Sequence, residues 1–151
     1  MNMNMNMKVR IKRLRPDAVI PTYATGFSAG ADLYAPHGGD TVIPPHATVM
    51  IPLGFSVEIP EGYCGLVFAR SGIATKRGLA PANKVGVVDS DYRGECMVAL
   101  YNQSDAPQTV AGGERIAQLV ITPYLKADFE ESADLSDTAR GAGGFGSTGT
   151  K

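Results

Sequence analysis

The sequence predicts an all-β fold, a sandwich or barrel of many short strands with one short helix. Three observations carry this. Short apolar runs rich in Val, Ile and aromatic residues recur along the chain, and clusters of Gly, Pro, Asn and Asp separate them, the spacing expected of short strands joined by tight turns. Sustained 3.6-residue periodicity is missing, which argues against a helical core. At 151 residues, the chain can bury one hydrophobic core but not two.

The elements follow in order. The Met-Asn alternation over residues 1–7 is low in complexity and carries no fold signal, so it is expected to be a disordered start. In "KVRIKRL", Val9 and Ile11 alternate with Lys8, Arg10 and Lys12, the pattern of a half-buried strand with a basic, solvated face. "TVMIPLGFSVEI", "YCGLVFA", "KVGVV", "ECMVALYN" and "RIAQLVI" supply the remaining strands. Pro60-Glu61-Gly62 and Ser90-Asp91 mark turns. "SGIATKRG" is the helix candidate, about two turns long, with Ser71 as the expected cap and Gly78 as the stop. The strand domain is expected over residues 8–125. Residues 126–151 begin acidic and polar and end glycine-rich, reading as a linker into a flexible arm.

Composition narrows the function classes. A formal net charge of −1 speaks against charge-driven binding to nucleic acid or an acidic membrane. No apolar run reaches the length of a membrane span. The start lacks a secretory signal, so a cytoplasmic protein is expected. Cys64 and Cys96 lie far apart in apolar stretches and read as reduced, buried thiols. His37 and His46 have no neighbours at metal-ligand spacing and read as loop residues beside Pro36 and Pro45.

Five stretches carry chemistry. "RGAGGFGSTG", residues 140–149, contains five glycines and matches the dinucleotide fingerprint as a string, yet no strand precedes it and too little chain follows for a helix. Its chemistry still suits a nucleotide: Arg140, Ser147, Thr148 and glycine amides for phosphate, Phe145 for stacking on a base. "ARSGIATKRG" places Arg70 and Ser71 where a strand turns into a helix, reading either as an anion site or as an ordinary cap beside a surface arginine. "GVVDSDYRGE" sets Asp89 after Val87 and Val88; a partly desolvated carboxylate there suits a general base, and the alternative is a simple turn former. Tyr92 reads as a packing residue or as a wall against a sugar. In "AGADLYA", Asp32 is either a strand-entry residue or a carboxylate reaching Mg²⁺ through water. Gln118, a polar residue inside the run "RIAQLVI", faces either solvent or a ligand.

The set and order of these stretches resemble the five motifs of the trimeric dUTPases, over about residues 8–149. The resemblance implies a distorted jelly-roll, a β-clip barrel, assembled as a homotrimer with shared active sites and a mobile C-terminal arm. It implies Mg²⁺-assisted hydrolysis of dUTP to dUMP and pyrophosphate, which limits uracil incorporation into DNA and supplies dUMP for dTMP synthesis. By position, Asp89 matches the base that activates water for attack on the α-phosphorus, and Asp32 the carboxylate that reaches the metal through water. Arg70, Ser71, Gly72 and Gln118 match phosphate-binding positions. Asn83, Val87, Val88 and Met97 match a hairpin that reads uracil, and Tyr92 matches the residue under the deoxyribose. Arg140, Phe145, Gly146, Ser147 and Thr148 match the arm that closes over a neighbouring subunit's site.

One position departs from the family pattern: Ala69 stands where a proline usually precedes Arg70-Ser71-Gly72, which implies a looser phosphate loop. Two other readings remain. One is a dCTP deaminase-related enzyme, which needs an additional glutamate near the hairpin. The other is a non-catalytic, dUTPase-like regulatory protein, against which Asp32, Asp89 and the complete arm argue.

Overall fold

The computed structural model describes residues 6–150, so most of the Met-Asn start, residues 1–5, and Lys151 lie outside the described residues. Eleven strands and one helix are described, the all-β architecture expected from the pattern of short runs. β1 (Arg10–Arg13) comes first, and β2 (Ala31–Tyr34) follows a long loop. β3 (Thr41–Ile43), β4 (Thr48–Pro52), β5 (Phe55–Glu58) and β6 (Tyr63–Phe68) run up to α1 (Ser71–Arg77). After it come β7 (Leu79–Pro81), β8 (Gly86–Val88), β9 (Met97–Asn102), β10 (Gln108–Val110) and β11 (Arg115–Pro123).

Four antiparallel groups share one core. The largest has the order β2-β11-β6-β8, and a second has the order β4-β9-β7; β1 pairs with β5 and β10 with β3. β11 is the spine, with Gln118 opposite Asp32 of β2 on one side and opposite Phe68 of β6 on the other. Period-two alternation builds the core, because successive side chains of a strand face opposite ways. On β9, Val98, Leu100 and Asn102 point inward while Met97 stays exposed. Phe55, Leu33, Ile43, Leu53, Leu79 and Ile116 complete a fully buried centre.

Asn102 is a polar exception inside that centre, and all its capacity is used. Its Nδ2 donates to the carbonyls of Ile43 (3.0 Å) and Ala106 (2.8 Å), and its Oδ1 accepts from the Ser104 amide (2.9 Å) and hydroxyl (2.7 Å). A buried amide so satisfied avoids the cost of an unmade bond and ties β9 to β3 and to the following turn.

The helix ends as the sequence predicts and begins differently. Gly78 takes the left-handed conformation (φ 67°, ψ 25°), and its N–H closes on the Ile73 carbonyl. At the other end Arg70, not Ser71, holds the cap position, and no side chain caps the helix. Ser71 is the first helical residue and is exposed. The reason is local: the Arg70 carbonyl accepts from Ala74 N at 3.1 Å, which draws the helix one residue toward β6.

Candidate active site

An apolar cavity opens where two strands adjacent in the sequence part company. The resemblance implies a hairpin carrying Asn83, Val87, Val88 and Met97, but β8 pairs with β6 while β9 pairs with β4 and β7. The strands therefore splay into different sheets. A cavity of ≈290 Å³ opens between them, lined by Asn83, Gly86, Val87, Val88, Asp89, Tyr92 and Met97 over a floor that includes Leu33, Phe55 and Val98. This is close to the lower size of small-molecule sites, and its apolar walls with a few polar groups at the rim are typical of them. β8 is also the edge of its sheet, so its outer backbone N–H and C=O groups are free to pair with something else.

The splay corrects one expectation. Val87 is 63% exposed and Asp89 is exposed, whereas Val88 packs against the core. Exposure alternates along β8, so Asp89 does not follow a buried run and stands open to water within this chain. The turn after it is held by Tyr92 N donating to the Asp89 carbonyl at 3.2 Å. Tyr92 donates its hydroxyl to the Glu95 carbonyl at 2.8 Å. Its ring lies over Gly94, where an added Cβ would come within 2.5 Å of the hydroxyl oxygen. The ring is thus fixed as one wall of the cavity. Cys96 forms part of the same lining, and burial pushes its thiol up to about 11. Cys64 is buried, and both cysteines are free.

A second cluster lies where β6 turns into α1. Asp32 is buried on β2, and its carboxylate meets Arg70 Nε at 2.8 Å and Arg115 Nη1 at 3.7 Å. Gln118 turns its side chain toward the same corner. It is half-buried and donates to the Ala69 carbonyl at 2.9 Å, bracing the corner where Ala69 stands. Gly30 makes this possible, because a Cβ there would lie 2.2 Å from Gln118 Oε1. Ser71 and Gly72 are exposed at the start of the helix. Arg115, Arg77 and Gly30 carry no chemical signal of their own in the sequence, although all three lie within the five stretches described above.

No group of three or more potential ligands able to hold a metal exists among the described residues. Asp32 fits a contact through water rather than a direct one, since both its oxygens already face guanidinium groups. A magnesium ion needs no more than this where phosphate oxygens and water fill most of its shell.

The arm is a third group. Arg140 Nε donates to the Gly143 carbonyl at 2.7 Å, and Gly143, Ser147 and Gly149 close short turns within the arm. The ring of Phe145 is wholly exposed, and its backbone is left-handed at φ 50°. Gly146, Ser147 and Thr148 lie beside it, exposed. Among the described residues no hydrogen bond or ion pair joins the arm, the cavity and the corner to one another, and none of Asp32, Arg70, Ser71, Gly72 and Gln118 lines the cavity. The candidate residues therefore form three separate groups in one chain.

Comparison with known proteins gives one answer. Residues 17–149 match the model of the dUTPase family. A deoxyuridine 5'-triphosphate nucleotidohydrolase from Hydrogenobaculum sp. is 46% identical over 145 residues, covering 96% of this chain and 100% of the relative. One from Desulfitobacterium hafniense is 48% identical over 147 residues, covering 95% and 97%. Among solved structures, the dUTPase of Staphylococcus bacteriophage 80alpha with dUpNHpp superimposes with a TM-score of 0.87 at 27% identity, covering 96% of this chain and all of that one. A mutant dUTPase of phage phi11 of S. aureus, solved for the coordination of a structural Mg(II) ion, shares the fold with a TM-score of 0.76 at 24% identity, covering 85% and 98%.

Proposed function

The chain belongs to the dUTPase family and hydrolyses dUTP to dUMP and pyrophosphate, and from that premise we propose how its residues divide the work. Uracil enters the cavity between β8 and β9, where the free edge of β8 offers backbone donors and acceptors to the base, and Asn83, Val87, Val88 and Met97 bound it. The Tyr92 ring carries the deoxyribose and closes the 2′ position. Asp89, at the mouth of that cavity, takes a proton from water as the water oxygen bonds to the α-phosphorus. The bond from the α-phosphorus to the bridging oxygen breaks, and pyrophosphate leaves. Arg70, Ser71, Gly72 and Gln118 hold the phosphate chain, and Asp32 would hold a magnesium ion through water. That ion, when bound, neutralises phosphate charge.

We propose that the three separate groups come together in a homotrimer with shared sites. The arm of one copy closes over the site of another, with Phe145 stacked on the base, Arg140 on the phosphates, and the amides and hydroxyls of Gly146, Ser147 and Thr148 beside them. No described helix is long and apolar enough to cross a membrane. The two free thiols suit a reducing compartment, and the proposed location is the cytoplasm.

The observation that carries this reading is the cavity between the splayed strands with Asp89 at its mouth. Its test is Asp89→Asn. The amide keeps the size of the carboxylate but cannot accept the proton, so turnover falls about 10²–10⁴-fold while dUMP binding is retained. Pyrophosphate release from dUTP and dCTP, measured beside ammonia release, accompanies it. Near-normal turnover by the variant removes Asp89 from the role, and ammonia from dCTP points instead to a deaminase.

A further inference from the structure

The helix that follows the phosphate-facing corner has little of its own to hold it. α1 is seven residues long, buries only Ile73 and lacks a side-chain cap, and helices so short are marginal without tertiary support. Arg77, its last residue, supplies that support with all three guanidinium nitrogens. Nε donates to Gln108 Oε1 at 3.4 Å, Nη1 to the Glu114 carboxylate and Nη2 to the Thr109 carbonyl. Glu114 is itself fixed, since its other oxygen accepts from Ala111 N at 2.9 Å and its amide donates to the Ala111 carbonyl at 3.0 Å. Both Arg77 and Glu114 are mostly shielded from water, with side-chain exposures of 28% and 23%, so this pair is screened less than a surface pair.

The same turn leads into β11, which carries Gln118. Segment 69–77 is therefore mounted at two points, on β11 at one end and on β10 with the β10–β11 turn at the other. Gln118 grips the Ala69 carbonyl at the front, and Glu114 with its neighbours grips Arg77 at the back. Arg70, Ser71 and Gly72 lie between the two mounts.

We propose that Arg77 is a positioning residue for the phosphate end of the substrate: its three-way clamp onto β10 and the β10–β11 turn sets where Arg70, Ser71 and Gly72 meet the phosphate chain. This rests on the reading that residues 70–72 bind phosphates. Arg77 lies outside the lining of the cavity assigned to uracil, so its effect is confined to the phosphate end. Lysine cannot replace it fully, because an ammonium is a point charge without the guanidinium fork that reaches three acceptors at once.

The experiment compares dissociation constants of full-length Arg77→Gln, Arg77→Lys and Glu114→Gln for dUMP and for an α,β-imido analogue of dUTP with Mg²⁺, beside kcat and KM for dUTP. Arg77→Gln is expected to weaken the triphosphate analogue about 10-fold, the lower range for losing a charge-assisted hydrogen bond. dUMP is expected to be unchanged, and Arg77→Lys to fall between. Should Arg77→Gln not fold, Glu114→Gln and Arg77→Lys read the same ratio. Equal loss for both ligands, or a lowered melting temperature with an unchanged ratio, overturns the proposal. Arg70→Gln separates the two levels of inference. If it weakens the triphosphate analogue and Arg77→Gln does not, only the role of Arg77 falls; if neither does, the phosphate reading of the corner falls with it.

Discussion

At the corner around Asp32 a buried carboxylate meets two guanidinium groups and an amide braces a carbonyl, whereas beyond Tyr124 the described residues hydrogen-bond only among themselves. The last described hydrogen bond from the C-terminal segment to the body is Tyr124 N to the Gly62 carbonyl, 3.2 Å. Past it, Leu125, Phe129, Leu135 and Phe145 are between 88% and 114% exposed. Four large apolar side chains left in water forgo about 1.5–3 kcal/mol each relative to burial. Internal contacts have thus settled the corner before any ligand arrives, while the arm has its binding groups still to spend. In the proposed roles, pre-set groups at the corner lower the cost of fixing the phosphates, and an uncommitted arm can respond to what is bound.

Removing the arm should produce the largest effect, and it should touch chemistry alone. A chain ending at Ala139 loses Arg140, Phe145, Gly146, Ser147 and Thr148 but no described contact to the body, so its melting temperature should stay within about 2 °C, less than the shift that ~1 kcal/mol produces in a domain of this size. Turnover should fall on the order of 10²-fold, since closure aligns the α-phosphorus with its nucleophile and excludes water. Calorimetry and steady-state kinetics on the same preparation check both halves. Full-length rates in the shortened chain reduce the arm to a tail.

Asp32→Asn should do the reverse and reach stability first. Breaking a buried ion pair from one side costs about 3–5 kcal/mol, and the partial exposure of Arg70 and Arg115 (28% and 50%) lets water recover part of it. The expected loss is about 2–3 kcal/mol, which lowers the melting temperature by roughly 4–12 °C for a chain of this length. The comparison is made at one protomer concentration, because association contributes to apparent stability. A variant that melts like the parent means the two arginines do not depend on this carboxylate, and the contrast with the arm fails.

The contrast also explains what could be read from the sequence. Strand content, the Gly78 stop and the turns at residues 60–62 and 90–91 depend on local chemistry, and local pattern reported them. Gln118 and Asn102 were not legible, since their partners Ala69 and Ile43 are distant along the chain and a polar residue in an apolar run does not say what it bonds. The cavity was hidden for a similar reason. "GVVDSDYRGE" has the local pattern of a hairpin, and only the long-range pairing of β8 with β6 and of β9 with β4 and β7 draws its strands apart. Ser71 falls one residue past the cap because the Arg70 carbonyl accepts the first helical hydrogen bond, from Ala74 N, and helix ends shift readily at that scale.

The smallest expected effect is none at all, and it sharpens the comparison most directly. Cys96 forms part of the cavity wall, with its thiol pushed up to about 11 by burial. Because the raised value favours the neutral thiol, only about one part in 10³ is thiolate at pH 8, and alkylation should accelerate as the pH climbs toward 11. If the arm leaves the cavity uncovered until a nucleotide binds, cutting the chain after Ala139 should leave the rate at Cys96 within about 2-fold in the free enzyme, a difference worth only ~0.4 kcal/mol. Adding dUMP should slow it in both proteins, because the base occupies the space beside the thiol. Iodoacetamide labelling, followed by mass spectrometry of the peptide containing Cys96, separates its rate from that of the buried Cys64. Faster labelling of the truncated chain without nucleotide would mean that the arm already covers the cavity at rest, and that its exposed residues are committed before the substrate arrives.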